Sequence, residues 1–359
     1  MPGPAVNVIS DVRRVRRTLL MVRTLALGIG AGTAAYLLGL PLPWMLGPMI
    51  CITIAAAAGL PVAQPALLPK AALPVIGVML GSRITADLLA QAPEFALTLA
   101  LLVPFVVLCA AISYGFYRRI GRFDPVTAYY SGMPGGLNDM MILGQAAGGD
   151  ERRIGLAHAA RVLCVIGFVA IFYGAVLGVR SGAGPSSWLT LSDMGATDAA
   201  WLLGAALIGM PLGRALRLPA APMLGPMIIS GAVHIAGFVA VPPPDILVVA
   251  AQIVLGVRIG SRFSGVSFGA IGRDLTLGAG SSMLMILVAV AFAYGVSYVA
   301  SIDMSQAFLA FSPGGLIEMS LLTLALGQEV AYVSLAHVVR IVLVIFGAPV
   351  AFRFLALKG

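Results

Sequence analysis

Along this chain apolar positions do not alternate with polar ones. They gather in blocks of about 20 residues, the length at which a helix crosses a bilayer core. The blocks predict helices over 19–39, 44–60, 67–82 and 94–117, a segment broken in its middle over 124–148, and a long helix over 152–178. The same order returns over 197–216, 222–238, 246–262, 275–300, a broken 304–326, and 330–356. Between the two series, "RSGAGPSSWLTLSDMG" (Arg180 to Gly195) is rich in Gly and Ser and reads as a loop. Strand-built membrane barrels would show alternating segments of about 10 residues, and the sequence has none. The expected class is an all-α polytopic membrane protein.

The return is literal. "LPLPWMLGPMI" (Leu40 to Ile50) matches "LPAAPMLGPMI" (Leu218 to Ile228) at an offset of 178. "GVMLGSRI" (Gly77 to Ile84), "PGGLND" (Pro134 to Asp139) and "LAHAAR" (Leu156 to Arg161) match "GVRIGSRF", "PGGLIE" and "LAHVVR", each at 179. Four matches in one order at nearly one offset mark an internal duplication. The chain divides into a basic N-terminal segment 1–18, a first repeat 19–179, a linker 180–196 and a second repeat 197–359.

Composition agrees: 60% of residues are hydrophobic, 10% are charged, and mean hydropathy is +1.02. A pI near 9.8 raises nucleic acid as a partner, but the arginines abut apolar runs, which is the pattern of cytoplasmic flanks. Arg13 to Arg17 precede the first helix, whereas Arg214 and Arg217 follow its counterpart. Arg118, Arg119 and Arg122 follow the fourth helix of the first half, and Arg273 precedes that of the second. Arg152 and Arg153 precede the last helix, while Arg353 and Lys358 follow its match. Each pair swaps ends, so two inverted-topology repeats are expected, with both termini cytoplasmic and the linker outside. Inversion needs an odd number of crossings: about five transmembrane helices per half plus a re-entrant Pro-Gly-Gly hairpin. The basic start is no cleaved leader, because the apolar run Leu19 to Gly39 is too long for one. Cys51, Cys109 and Cys164 lie singly in apolar segments and form no CxxC.

The candidate chemistry sits at the breaks. Pro134, Gly135 and Gly136, and Pro313, Gly314 and Gly315, free backbone groups, with Pro removing a donor and Gly relaxing the turn. Asn138 and Asp139 follow the first break, Glu318 the second, and Glu318 has the longer reach. His158 and Arg161 share a face of the next helix, as do His337 and Arg340. Two readings stand: an ion pair locking broken segment to helix, or a substrate and proton site, the usual meaning of intramembrane charge beside broken backbone. Ser82 with Arg83, and Ser261 with Arg262, end the third helices as gate residues or as arginines reaching for headgroups. Arg258 has no counterpart in the first half. The "MLGPM" phrases read as structural: Pro in a first turn, Gly for close helix contact. Neither HxxH, HExxH nor a phosphate loop occurs, so neither metal nor cofactor nor enzyme activity is expected.

With "LP…MLGPM", "PGG…(D/E)" and "LAH" plus arginine in both halves, the chain resembles the membrane AbrB family from about Leu19 to Phe354. This is the duplicated bacterial inner-membrane family, not the small DNA-binding regulator of that name. Its members carry labels of ammonia monooxygenase or regulator and are also classed as transporters. The resemblance implies a multi-pass protein of the inner membrane. The architecture also resembles sodium-coupled glutamate and citrate symporters, whose hairpins carry Gly-Gly. The expected function is a secondary transporter of a small solute such as an organic anion or amino acid. Asp139 and Glu318 would couple to protons or sodium, and Arg161 and Arg340 would balance them or hold an anion. The alternative is a membrane regulator or sensor using the same pocket without turnover. Expected partners are the bilayer, the solute and its coupling ion, with no nucleic acid; a homodimer stays open.

Overall fold

The computed structural model describes residues 4–40, 42–63, 67–86, 95–173, 189–264, 268–300 and 302–355, with side chains from Val15 onward except at 170, 191 and 268–271. The side chains of Arg13 and Arg14, the linker residues 180–188 and Lys358 lie outside the described residues.

Among the described residues every apolar block is helical, and no strand occurs. The first half contains α1 (Pro4–Leu37), α2 (Pro43–Ala57), α3 (Leu68–Gly81), α4 (Phe95–Ala100), α5 (Leu102–Phe116), α6 (Pro125–Gly132), α7 (Leu137–Ala146) and α8 (Glu151–Ile171). The second contains α9 (Ala196–Ala215), α10 (Ala221–Ile235), α11 (Asp245–Gly260), α12 (Phe268–Ala300), α13 (Met304–Phe311), α14 (Leu316–Ala325) and α15 (Val330–Phe354). Among the described residues, six helical stretches are long and apolar enough to cross a membrane: Val15–Leu37, Phe95–Gly121, Ala196–Ala215, Asp245–Phe263, Gly272–Ala300 and Val330–Phe354. Val107, Leu207, Tyr298 and Phe346 stand exposed on them, an apolar outer surface that suits lipid better than water.

Two departures from the expected helices have local causes. Helix α1 begins at Pro4, because nothing between the basic run and the apolar run breaks a helix. The fourth helix of the first half is split at Leu101. Pro104 removes the hydrogen bond that would run to Ala100 and crowds its carbonyl. The matching position is Met283, and α12 runs through unbroken.

Glycines set the helix crossings. A side-chain carbon on Gly77 would meet the Met223 carbonyl oxygen, and one on Gly256 that of Met45. Gly81 stands so against Met227, and Gly260 against Met49. The rising numbers on both sides show that α3 runs in the same direction as α10, and α2 as α11. Each pair turns into the other under the repeat offset, the reciprocity of a two-fold relation. Neighbours within a half are antiparallel: Gly28 faces Pro48 and Gly32 faces Trp44, while Gly209 faces Pro226 and Gly213 faces Ala221. The matching fourth helices, α5 and α12, touch directly and run antiparallel. Phe105 and Phe292 lie 5.4 Å apart at their ring centroids, Phe116 faces Gly280, and Gly121 faces Leu277.

The broken segments close this core. Asp124 caps α6 by accepting from the Thr127 N–H at 2.9 Å, and Asp303 caps α13 from the Ser305 N–H at 2.8 Å. In the first half the chain turns back on itself. Gly144 of α7 faces Tyr130 of α6, and the Asp150 N–H donates to the Thr127 hydroxyl at 2.8 Å, so the two ends of the segment meet.

Candidate functional site

Interrupting a helix leaves unpaired carbonyls on the arm before the break and unpaired amides on the arm after it. Met133 and Ser312 each precede a proline and are extended, with ψ of 132° and 133°, as the proline ring demands. No residue of either break has positive φ. The glycines are therefore needed for room rather than for a left-handed turn, which corrects the expected reason. A side-chain carbon on Gly135 would strike Val344 and Met140, and one on Gly314 would strike Met319. One on Gly136 would strike the Asp139 carboxylate, and one on Gly315 that of Glu318.

The arginines take the freed carbonyls. Arg161 of α8 donates from Nη1 to the Met133 carbonyl at 2.7 Å and from Nη2 to that of Gly135 at 2.5 Å. Arg340 of α15 repeats the grip, from Nη1 to the Ser312 carbonyl and from Nη2 to that of Gly314 at 2.6 Å. Both are buried, at 4% and 2% exposure. The acids take the other end. Asp139 and Glu318 each occupy the third residue of the helix after the break. Their carboxylates fold back over the capping glycine and accept their own backbone N–H, where the helix dipole favours negative charge.

The expected ion pairs of Asp139 with His158 and Arg161, and of Glu318 with His337 and Arg340, are therefore not formed. Each charge answers the opposite partial charge of the broken backbone, and these lie on different arms. Among the described residues the ion pairs link Arg153 to Asp150 and to Asp274, at 3.6 and 3.8 Å.

The two halves differ in detail. His158 bonds through Nε2 to the Tyr130 carbonyl at 2.9 Å, joining α8 to α6. His337 bonds through Nδ1 to Val333 of its own helix at 3.0 Å. Asn138 is exposed, and its counterpart is Ile317. Arg258 and Arg262 lie within electrostatic reach of Glu318, so the arginine that lacked a match in the sequence faces the second acid. The corresponding Arg83 is exposed. Ser82 and Ser261 donate to carbonyls of their own helices, Met79 and Val257, each at 2.7 Å.

Sequence reasoning missed the arginines' true partners and three buried hydroxyls nearby, Ser113, Ser131 and Ser312. Of these only Ser312 had a visible signal, its place immediately before the second proline. Among the described residues no three His, Cys, Asp or Glu side chains gather as a metal-ligand group.

Fold and site together define a helical, membrane-type protein with two matched helix breaks, each clamped by a buried arginine. The family described as "Transition state regulatory protein AbrB" matches residues 12–356, and the chain belongs to that family. Its relatives include "Uncharacterized protein YhjN" of Bacillus subtilis (strain 168), 25% identical over 358 residues and covering 92% of each chain. Another is "Putative regulator AbrB" of Escherichia coli (strain K12), 26% identical over 318 residues, covering 88% of this chain and 91% of the relative.

Proposed function

We propose that the protein is a secondary transporter of the bacterial inner membrane, with its solute site between the two helix breaks. The observation that carries this reading is the pairing of matched, arginine-clamped breaks with fourth helices, α5 and α12, that run antiparallel. Two matching helices that both cross a bilayer in opposite directions belong to halves of opposite orientation, the plan of many secondary transporters. The end-swapped arginines support the same orientation.

In this reading each broken segment is a re-entrant hairpin. Arms of 8 and 10 residues rise roughly 12 and 15 Å, well short of a core about 30 Å thick. The meeting of Thr127 with Asp150 supports a segment that returns to the side it entered. Non-helical backbone at that depth is tolerated where it is buried or lines water, and an interrupted helix is where such proteins hold solute. Asp139 and Glu318 are the groups that couple movement to protons or sodium. Ser82, Arg83, Ser261 and Arg262, at the ends of the third helices, are gate residues.

The test is uptake by vesicles reconstituted with the purified protein under an imposed proton or sodium gradient. Accumulation that collapses with the gradient is the expected result. Solute binding without accumulation would overturn transport and leave a regulatory role, the one named in the family's description and in the Escherichia coli relative's name.

A further inference from the structure

The carbonyl grips leave part of each guanidinium unused. An arginine carries five N–H donors, and the Nε of both Arg161 and Arg340 is buried without a partner. So is the Ser312 hydroxyl, at 0% exposure. It stands beside Arg340, because the carbonyl of the same residue is one of the two that Arg340 holds. The two arginines also converge. Val344, one turn beyond Arg340 on α15, packs against Gly135, whose carbonyl Arg161 holds. The Cys109 thiol of α5 lies within electrostatic reach of both guanidiniums, and they lie within reach of each other. Like charges repel strongly where water is excluded. The carboxylates do not offset them, since Asp139 and Glu318 are folded onto their own helix ends.

We propose that Arg161 and Arg340, with the Ser312 hydroxyl, form an anion site that takes the carboxylate of a small organic acid. The proposal deepens the transporter reading, on which it rests only for what becomes of the bound acid. The two unpartnered Nε–H groups can only donate and the Ser312 hydroxyl can donate with them, while two guanidinium charges stand against a cation. The free edge of a guanidinium, its Nε–H beside an Nη N–H, is the planar two-donor fork that matches a carboxylate. The surroundings are apolar: Phe105, Met140, Phe311 and Met319 are fully buried. That suits the hydrocarbon body of an organic acid and penalises a strongly hydrated phosphate dianion. If the arginines were only clamps, the Ser312 hydroxyl would be a buried cost with no purpose, and its removal would be harmless to any ligand.

The experiment is thermal melting of the purified full-length protein in lipid nanodiscs at constant ionic strength. Sodium chloride is exchanged for sodium acetate, succinate, glutamate or phosphate, with succinamide as a neutral control. A ligand of the native state raises the melting temperature in proportion to its occupancy. At least one carboxylate should raise it in a saturable way, and succinamide should not. Ser312→Ala should melt like the parent in chloride, since the hydroxyl bonds to nothing in the protein. It should need on the order of 10-fold more carboxylate for the same shift, the loss of one hydrogen bond to a charged group. Protection by no carboxylate, protection by phosphate alone, or an unchanged response of Ser312→Ala would each overturn the site. Protection without vesicle uptake would keep the anion site and remove transport. Uptake of a neutral or cationic solute without carboxylate protection would do the reverse.

Discussion

At the scale of single residues, the broken backbone decides where charge goes. Arg161 and Arg340 each satisfy two carbonyls that have no other partner, through charge-assisted bonds worth about 1.5–3 kcal/mol apiece. Arg161→Gln and Arg340→Gln are therefore expected to lose most of the folded protein, and a lysine, without the planar guanidinium fork, restores it poorly. Yield in the membrane and melting temperature check this; normal yield from both would mean that the carbonyls find other donors. Asp139→Asn is expected to behave differently. It removes only a favourable charge at a helix start, about 0.3–1 kcal/mol, and leaves no cation stranded. The variant should accumulate at parental levels and, if Asp139 couples ions, lose gradient-driven uptake alone. Glu318→Gln should lower yield further, because Arg258 and Arg262 lie within its reach and no arginine is among the groups acting on Asp139. Equal yields would deny that those arginines depend on Glu318.

At the scale of elements, close crossings govern the core. The glycines of "GVMLGSRI" and "GVRIGSRF" press against backbone carbonyls of the "MLGPM" helix from the opposite half. A carbonyl in a packed helix cannot step aside as a side-chain end can. Gly77→Ala and Gly256→Ala are thus expected to cost about 1–3 kcal/mol each, the usual cost of overpacking, and to cost similar amounts because the crossings are reciprocal. Thermal unfolding of the two variants measures this; a large loss in one and none in the other would break the two-fold relation. The breaks obey the same logic, since Gly136→Leu and Gly315→Leu put a side chain where the acid now folds over its helix end. Legibility differed here. Gly47 was readable as a close-contact glycine, and it does face the Ala31 carbonyl. That Gly77 belongs against Met223 was not readable, because a repeat shows which segments are alike and not which of them touch.

At the scale of the whole molecule, the proposed inversion makes an accessible prediction. Glu151 and Glu329 are exposed, one position out of register under the repeat offset, at the ends of the two broken segments. In a background with Cys51, Cys109 and Cys164 replaced, Glu151→Cys should react with an impermeant thiol reagent only from the cytoplasmic side. Glu329→Cys should react only from the opposite side, as should Ser192→Cys in the linker. Labelling of Glu151→Cys and Glu329→Cys from one side would remove the inverted arrangement and with it the strongest support for alternating access.

The sequence by itself determined the class, the duplication, most of the helices and the two Pro-Gly-Gly breaks. Those follow from local causes: block length, an internal match at a nearly constant offset, and prolines that cannot donate. It also placed Arg161 and Arg340 beside the breaks, since both occur at the same distance from them. Only the tertiary structure decided which partner each charge would take. A broken helix offers carbonyls at one lip and amides at the other, and which lip a side chain meets depends on how the next helix packs. By that packing the arginines reached the carbonyls, the acids turned back to the amides, and two guanidiniums came within electrostatic reach of each other.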